Sequence, residues 1–109
     1  MAEPMSLALE LTDSGYLHFP VDVARRYFPE DSLAPVVRDQ ELWLYPTRGA
    51  AGGGLILKQR NRVGDRSVLI WEVLPDSVPP GRLPAFWDDR QKVLRLALTG
   101  RPAVVESVT

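Results

Sequence analysis

The chain has no cysteine, a single histidine, and no apolar run near the length of a membrane span. Without cysteine there is no disulfide, no thiolate nucleophile and no thiolate-held zinc or iron–sulfur centre. A bilayer-crossing helix needs about 20 apolar residues in succession. The opening Met1-Ala2-Glu3-Pro4-Met5 has neither the basic start nor the apolar stretch of a signal peptide. The expectation is a cytoplasmic protein that does not engage a membrane. A large excess of charge is missing as well: the net charge is −1, which argues against coating nucleic acid by bulk electrostatics.

What is present suits one ordinary globular domain. Apolar residues make up 45% and charged residues 25% of 109 residues, enough for one core and too few for two. Ten prolines, each removing a backbone donor, favour short strands over long helices or wide sheets. Alternation marks Ser6 to Leu11 and Tyr16 to Phe19 as an opening hairpin around Thr12-Asp13-Ser14-Gly15. Pro20 suits a first helical turn, and the helical spacing of Val21, Ala24 and Tyr27 or Phe28 predicts a helix at 21–28, stopped by Pro29. Leu33 to Arg38 and Glu41 to Tyr45 read as strands, followed by a flexible glycine-rich loop at 48–54. Leu55 to Arg62 and Arg66 to Leu74 pair around Val63-Gly64-Asp65. A proline-rich connection at 75–84 precedes a last strand, Val93 to Leu98, ended by Gly100-Arg101-Pro102, with fraying expected over 103–109. The fold class is mostly β: a small antiparallel barrel or rolled sheet of about six or seven short strands with one short helix.

No catalytic constellation emerges. Gly52-Gly53-Gly54 lacks the lysine and following helix of a phosphate loop, and His18 has no evident metal or triad partners. Asp88-Asp89 reads as a turn between apolar segments. Glu72, inside Ile70-Trp71-Glu72-Val73-Leu74, is either a buried carboxylate or, as is commoner, an exposed or ion-paired one. The expectation is a non-enzymatic binding module with no cofactor and no metal. Trp43, Trp71 and Trp87 fall in β-like segments, as core or as exposed stacking platforms.

Charge placement singles out one segment. Residues 1–47 carry eight acids and three bases, whereas 48–66 carry Arg48, Lys58, Arg60, Arg62 and Arg66 against Asp65 alone. In a strand from Leu55 to Arg62, Lys58, Arg60 and Arg62 share a face with Ile56, and Arg66 lies across the turn. A two-stranded basic ribbon fits the DNA major groove, and arginine forks suit phosphate or guanine edges. Cations on a strand also serve simply to solvate it and guard its edge. Nucleic acid is one expected partner, with Arg25, Arg26 or Arg48 as extra phosphate contacts. The alternative is a protein-interaction or assembly factor, in which hairpin and aromatics meet an acidic protein or another copy of the chain.

Gly15-Tyr-Leu-His-Phe-Pro-Val-Asp-Val-Ala-Arg-Arg-Tyr-Phe28, continued by Asp31-Ser-Leu33 and Glu41-Leu-Trp-Leu-Tyr-Pro46, resembles the AbrB-like swapped-hairpin domains. The resemblance spans residues 7–46. It implies a β-rich dimeric or pseudobarrel DNA-binding domain, as in bacterial transition-state regulators and antitoxins, with Arg25 and Arg26 at positions that often carry bases. The chain departs from that pattern in its acidic first half and in Glu30-Asp31-Ser32, which replaces a Gly-Asp after the helix. The Gly64-Asp65 turn echoes a second, degenerate copy of the same unit.

Overall fold

In a computed structural model that describes residues 7–49, 52–75 and 78–98, nine strands form one antiparallel sheet. They are β1 (Leu7–Leu11), β2 (Tyr16–Phe19), β3 (Ser32–Arg38), β4 (Glu41–Pro46), β5 (Leu55–Ile56), β6 (Lys58–Gln59), β7 (Arg66–Leu69), β8 (Gly81–Asp88) and β9 (Val93–Ala97). One helix, α1 (Val21–Tyr27), follows β2, and a 3-10 turn (Trp71–Val73) follows β7. The segment expected to fray, the Gly100-Arg101-Pro102 turn and the middle of the glycine-rich loop lie outside the described residues. Among those residues no helix is long and apolar enough to cross a membrane.

Nine strands replace the seven that alternation marks, for two local reasons. The strand expected from Leu55 to Arg62 breaks at Leu57: β5 pairs with β3, and β6 pairs with β7. At the break the Leu57 N–H donates to the Asp31 carbonyl at 2.8 Å. The second reason is β8, which begins at Gly81 within the expected proline-rich connection. Pro84 is tolerated there because it lies one residue past Ala85↔Leu96, the last β8–β9 pair.

The sheet order is β5-β3-β4-β9-β8-β1-β2-β7-β6. Its first and last strands are consecutive in the chain, so the segment Leu55–Gln59 crosses from β3 to β7 and nearly closes the sheet into a barrel. Closure largely removes the exposed edges that invite aggregation. The period of two sends Leu9, Leu11, Leu17, Phe19, Leu42 and Leu44 inward, where they are joined by Leu83, Leu94 and Leu96. Alternation survives the break at Leu57, which is buried while Ile56 and Lys58 face out.

Counting β5 and β6 as one kinked strand exposes an internal order. Exchange β1 with β5/β6, β2 with β7, β3 with β8 and β4 with β9: every pairing maps onto another pairing or onto itself. The chain is thus built from two strand–strand–helical turn–strand–strand units, and each unit's helical turn sits on the other's hairpin. Val21 of α1 packs on Gly64, while Trp71 packs on Gly15. The second contact is reinforced by the Ile70 N–H, which donates to the Gly15 carbonyl at 3.0 Å.

Candidate functional site

Arg25, Arg60 and Arg62 gather at the α1 end of this paired arrangement. After β6 the chain turns through Arg60 to Asp65, closed by the Arg60 N–H donating to the Asp65 carbonyl at 2.8 Å. Asn61 organises the turn from within. Its Oδ1 accepts the N–H groups of Gly64 and Asp65, both at 3.1 Å, and its Nδ2 donates to Asp65 Oδ2 at 2.9 Å. A side chain that folds back on its own backbone in this way fixes the loop without outside help. Arg60, Arg62 and Val63 are left exposed around it.

Asp65 also anchors the turn to the helix. Pro20 occupies the N-cap of α1 and supplies no capping side chain, yet Asp65 Oδ1 accepts the Val21 N–H at 2.9 Å. A carboxylate at a helix N-terminus meets both an unpaired donor and the positive end of the dipole. The Asn61 amide, and next the Val21 N–H, hold the Asp65 carboxyl below the usual carboxylate range. Contacts with the Gln91 N–H and Arg95 do the same for Asp88.

A lowered folded-state pKa gives stability that is complete above the unfolded pKa and is lost as pH falls through the folded one. Thermal melts should therefore soften slightly as pH falls through about 6.5, where the lowered His18 pKa acts, and decline further below about pH 4, where Asp65 and Asp88 take up protons. Asp65→Asn keeps an acceptor for Val21 and loses the charge, so it should shrink that decline. An unchanged acid limb would count against the contact.

Two clefts flank the turn. One, of about 280 Å³, is lined by Arg60, Asp65, His18, Glu10 and Arg82. The other, of about 140 Å³, brings Arg25 of α1 beside Gly64 and Arg66. Arg82 enters because β8 pairs with β1 in a register that sets it opposite Glu10, itself opposite His18 on β2. Burial holds the His18 imidazole below its ordinary pKa, and the Arg60 charge pushes the same way against Glu10 and Asp65. It is therefore mostly neutral at pH 7 and adds little positive charge to the cleft.

The expected binding residues are thereby sorted. Arg60, Arg62 and Arg25 come together around the turn. Arg66 falls with Val68 and Ile70 on the inward set, and its guanidinium is occupied: Nε donates to Asp31 Oδ1 at 2.9 Å and Nη1 to the Gly64 carbonyl at 2.6 Å. Arg66 is a brace between the two units. Lys58 faces out but lines a different cleft, with Tyr16, Ile56 and Glu72. Arg26 lies exposed on α1 over the Tyr27 ring at 5.6 Å, and Arg48 follows β4 beside Gly52.

The other candidates separate as cleanly. Glu72 is exposed, and Asp88 accepts the N–H groups of Arg90 and Gln91 in the turn before β9. Trp43 is covered on the barrel's outer face by Arg38 and Arg95, each 4.5 Å from its ring, while Arg95 also pairs with Glu41 and Asp88. Trp87 stacks on Tyr27 at 4.6 Å and ties α1 to β8. Trp71 alone of the three stands exposed.

Arg82 is the member that sequence reasoning missed. It follows Pro79-Pro80-Gly81, which reads as a turn, and only the long-range pairing of β1 with β8 carries it to the site. Comparison with protein families, with curated proteins and with solved structures finds no match to this chain.

Proposed function

We propose that the chain is a cytoplasmic, non-enzymatic binding module whose Arg60–Asp65 turn meets the phosphodiester backbone of nucleic acid. One observation carries the reading: a turn fixed by its own asparagine holds out Arg60 and Arg62, with Arg82 in the cleft on one side and Arg25 in the cleft on the other. Of the acids nearest the turn, Asp31 is committed to Arg66, while Asp65 caps the helix through Oδ1 and sets Oδ2 3.9 Å from Arg60 Nη1, which draws down part of that cation's charge. Glu10 remains in the larger cleft and tempers its charge. The surface therefore suits a few phosphate contacts on a rigid support, not bulk adhesion. The reciprocal seating of two like units supports kinship with the AbrB-like swapped-hairpin domains, and the cationic turn supports a shared use of that fold.

The test is fluorescence anisotropy of a labelled mixed-sequence duplex across a salt series. Three phosphate contacts give a log–log slope of about −2.7, so affinity should fall about 40-fold between about 50 and 200 mM salt. The double variant Arg60→Glu/Arg62→Glu should abolish binding while leaving the melting temperature within a few degrees of wild type. Absence of wild-type binding at the lowest salt, or equal binding by the variant, refutes the reading.

A further inference from the structure

The end of the barrel related to the cationic turn by the internal exchange is apolar. There the 3-10 turn rests on the Gly15 hairpin, and Tyr16, Ile56, Leu69, Trp71 and Val73 stand 41%, 41%, 48%, 62% and 37% exposed. Tyr16 and Leu69 are direct cross-strand partners. Two adjoining clefts join the five side chains into one surface, the larger of about 420 Å³, and neither Arg60 nor Arg62 lines it. Together the five expose on the order of 500 Å², near the upper end of what a monomeric protein leaves in one patch.

We propose that this face docks a second copy of the chain. The rim identifies the occupant. Lys58, opposite Ser67 in the β6–β7 register, stands at one end of the patch, while Glu72 and Asp13 stand at the other, beyond Leu69. A rim of one sign would select a partner of the opposite sign. This rim changes sign from end to end and so complements itself: a two-fold axis through Leu69 sets each copy's Lys58 against the other's Glu72, as an isologous interface requires. The apolar centre with its charged ends approaches, from below, the roughly 800 Å² per partner of a stable complex. The dimer is accordingly weak and reversible. Both structural units already reside in one chain, so the second copy does not complete the barrel and adds a second cationic turn to the assembly.

Sedimentation velocity of the full chain over a concentration series, from about 5 to 500 µM, tests this against a dimer at the weak end of measured affinities. The wild type should pass from monomer to dimer within the series. Leu69→Glu should remove the dimer. Lys58→Glu and Glu72→Lys should each weaken it at least about fivefold, because both symmetric contacts change from attraction to repulsion. The double variant Lys58→Glu/Glu72→Lys should recover affinity to within about twofold of wild type, since it restores both pairs. A chain that stays monomeric throughout leaves the face to a different partner and overturns the proposal, as does a dimer indifferent to Leu69→Glu. A double variant no better than the singles overturns the stated geometry. Arg60→Glu/Arg62→Glu should leave dimerisation intact, which separates a failure here from a failure of the nucleic-acid reading.

Discussion

Phe28→Ala is expected to destabilise the protein by about 3–5 kcal/mol, the loss typical of a buried aromatic that leaves a cavity behind. Phe28 closes α1 and is 1% exposed. Its ring meets Phe19 of β2 edge-on at 5.5 Å, which fixes the helix against the barrel wall from which it springs. The backbone depends on the same residue: the Phe28 N–H donates to the Ala24 carbonyl at 2.8 Å, and its own carbonyl accepts the Asp31 N–H at 3.0 Å. That second bond positions Asp31, which braces Arg66 and receives Leu57 at the strand break. A domain of this size is stable by roughly 5–15 kcal/mol, so the substitution consumes about a fifth of the margin or more. Urea denaturation measures it directly. Phe28→Leu, which keeps most of the volume, should cost clearly less than Phe28→Ala, and a loss below about 1 kcal/mol for alanine would mean that α1 is not anchored through this ring.

Gly15→Ala should be the second severe change, of about 2–4 kcal/mol, because two penalties coincide. Gly15 has φ +90°, a conformation that L side chains rarely adopt, and a Cβ there would lie 2.6 Å from the Cβ of Trp71. The obstacle is the root of the tryptophan, which no rotamer change moves aside. Gly49 offers the control. It also has a positive φ, +65°, but its Cβ would meet nothing within 4 Å, so Gly49→Ala should cost only about 1 kcal/mol of backbone strain. Equal losses at the two glycines in parallel urea titrations would show that the hairpin does not bear on the 3-10 turn as closely as the structure has it.

Much of the fold is written locally. β1, β2, α1, β3 and β4 each have an alternating or helical run bounded by turn residues, and their limits agree with the structure to within a residue or so. The break at Leu57 left no such trace, because inward and outward residues alternate straight through it. It arises from a change of partner, from β3 to β7, which no short window contains. β8 was hidden for a different reason, since Pro84 and the preceding Pro79-Pro80-Gly81 read as connection. Whether a proline is tolerated depends on where the neighbouring ladder ends. Pro35 makes the same point: it sits on the side of β3 that β5, pairing only with Ser32 and Leu33, leaves open.

The candidate site was half legible for the same reason. Counting cations along the chain found the turn, and the resemblance to a swapped-hairpin family pointed to Arg25 and Arg26, yet the count treated Arg66 as equivalent to Arg60 and overlooked Arg82. Charge becomes surface only after pairing, and Asp31, remote in sequence, removes Arg66 from the count while β1 adds Arg82.

The interlocking of the two units bears on how the protein is made. β2 must find β7, β4 must find β9, and each helical turn is seated by the opposite unit's hairpin, so the first unit alone lacks both the lid for its hairpin and the strands that close its sheet. During synthesis β1 to β4 emerge with their leucine faces uncovered and remain so until β9 can slip between β4 and β8. Half of the strand pairings, β1 with β8, β2 with β7, β3 with β5 and β4 with β9, span long stretches of chain, which slows folding and lengthens the time such surfaces are exposed. The design that nearly closes a barrel without a second subunit therefore leaves the nascent chain open to aggregation for longer than a succession of independent hairpins would be.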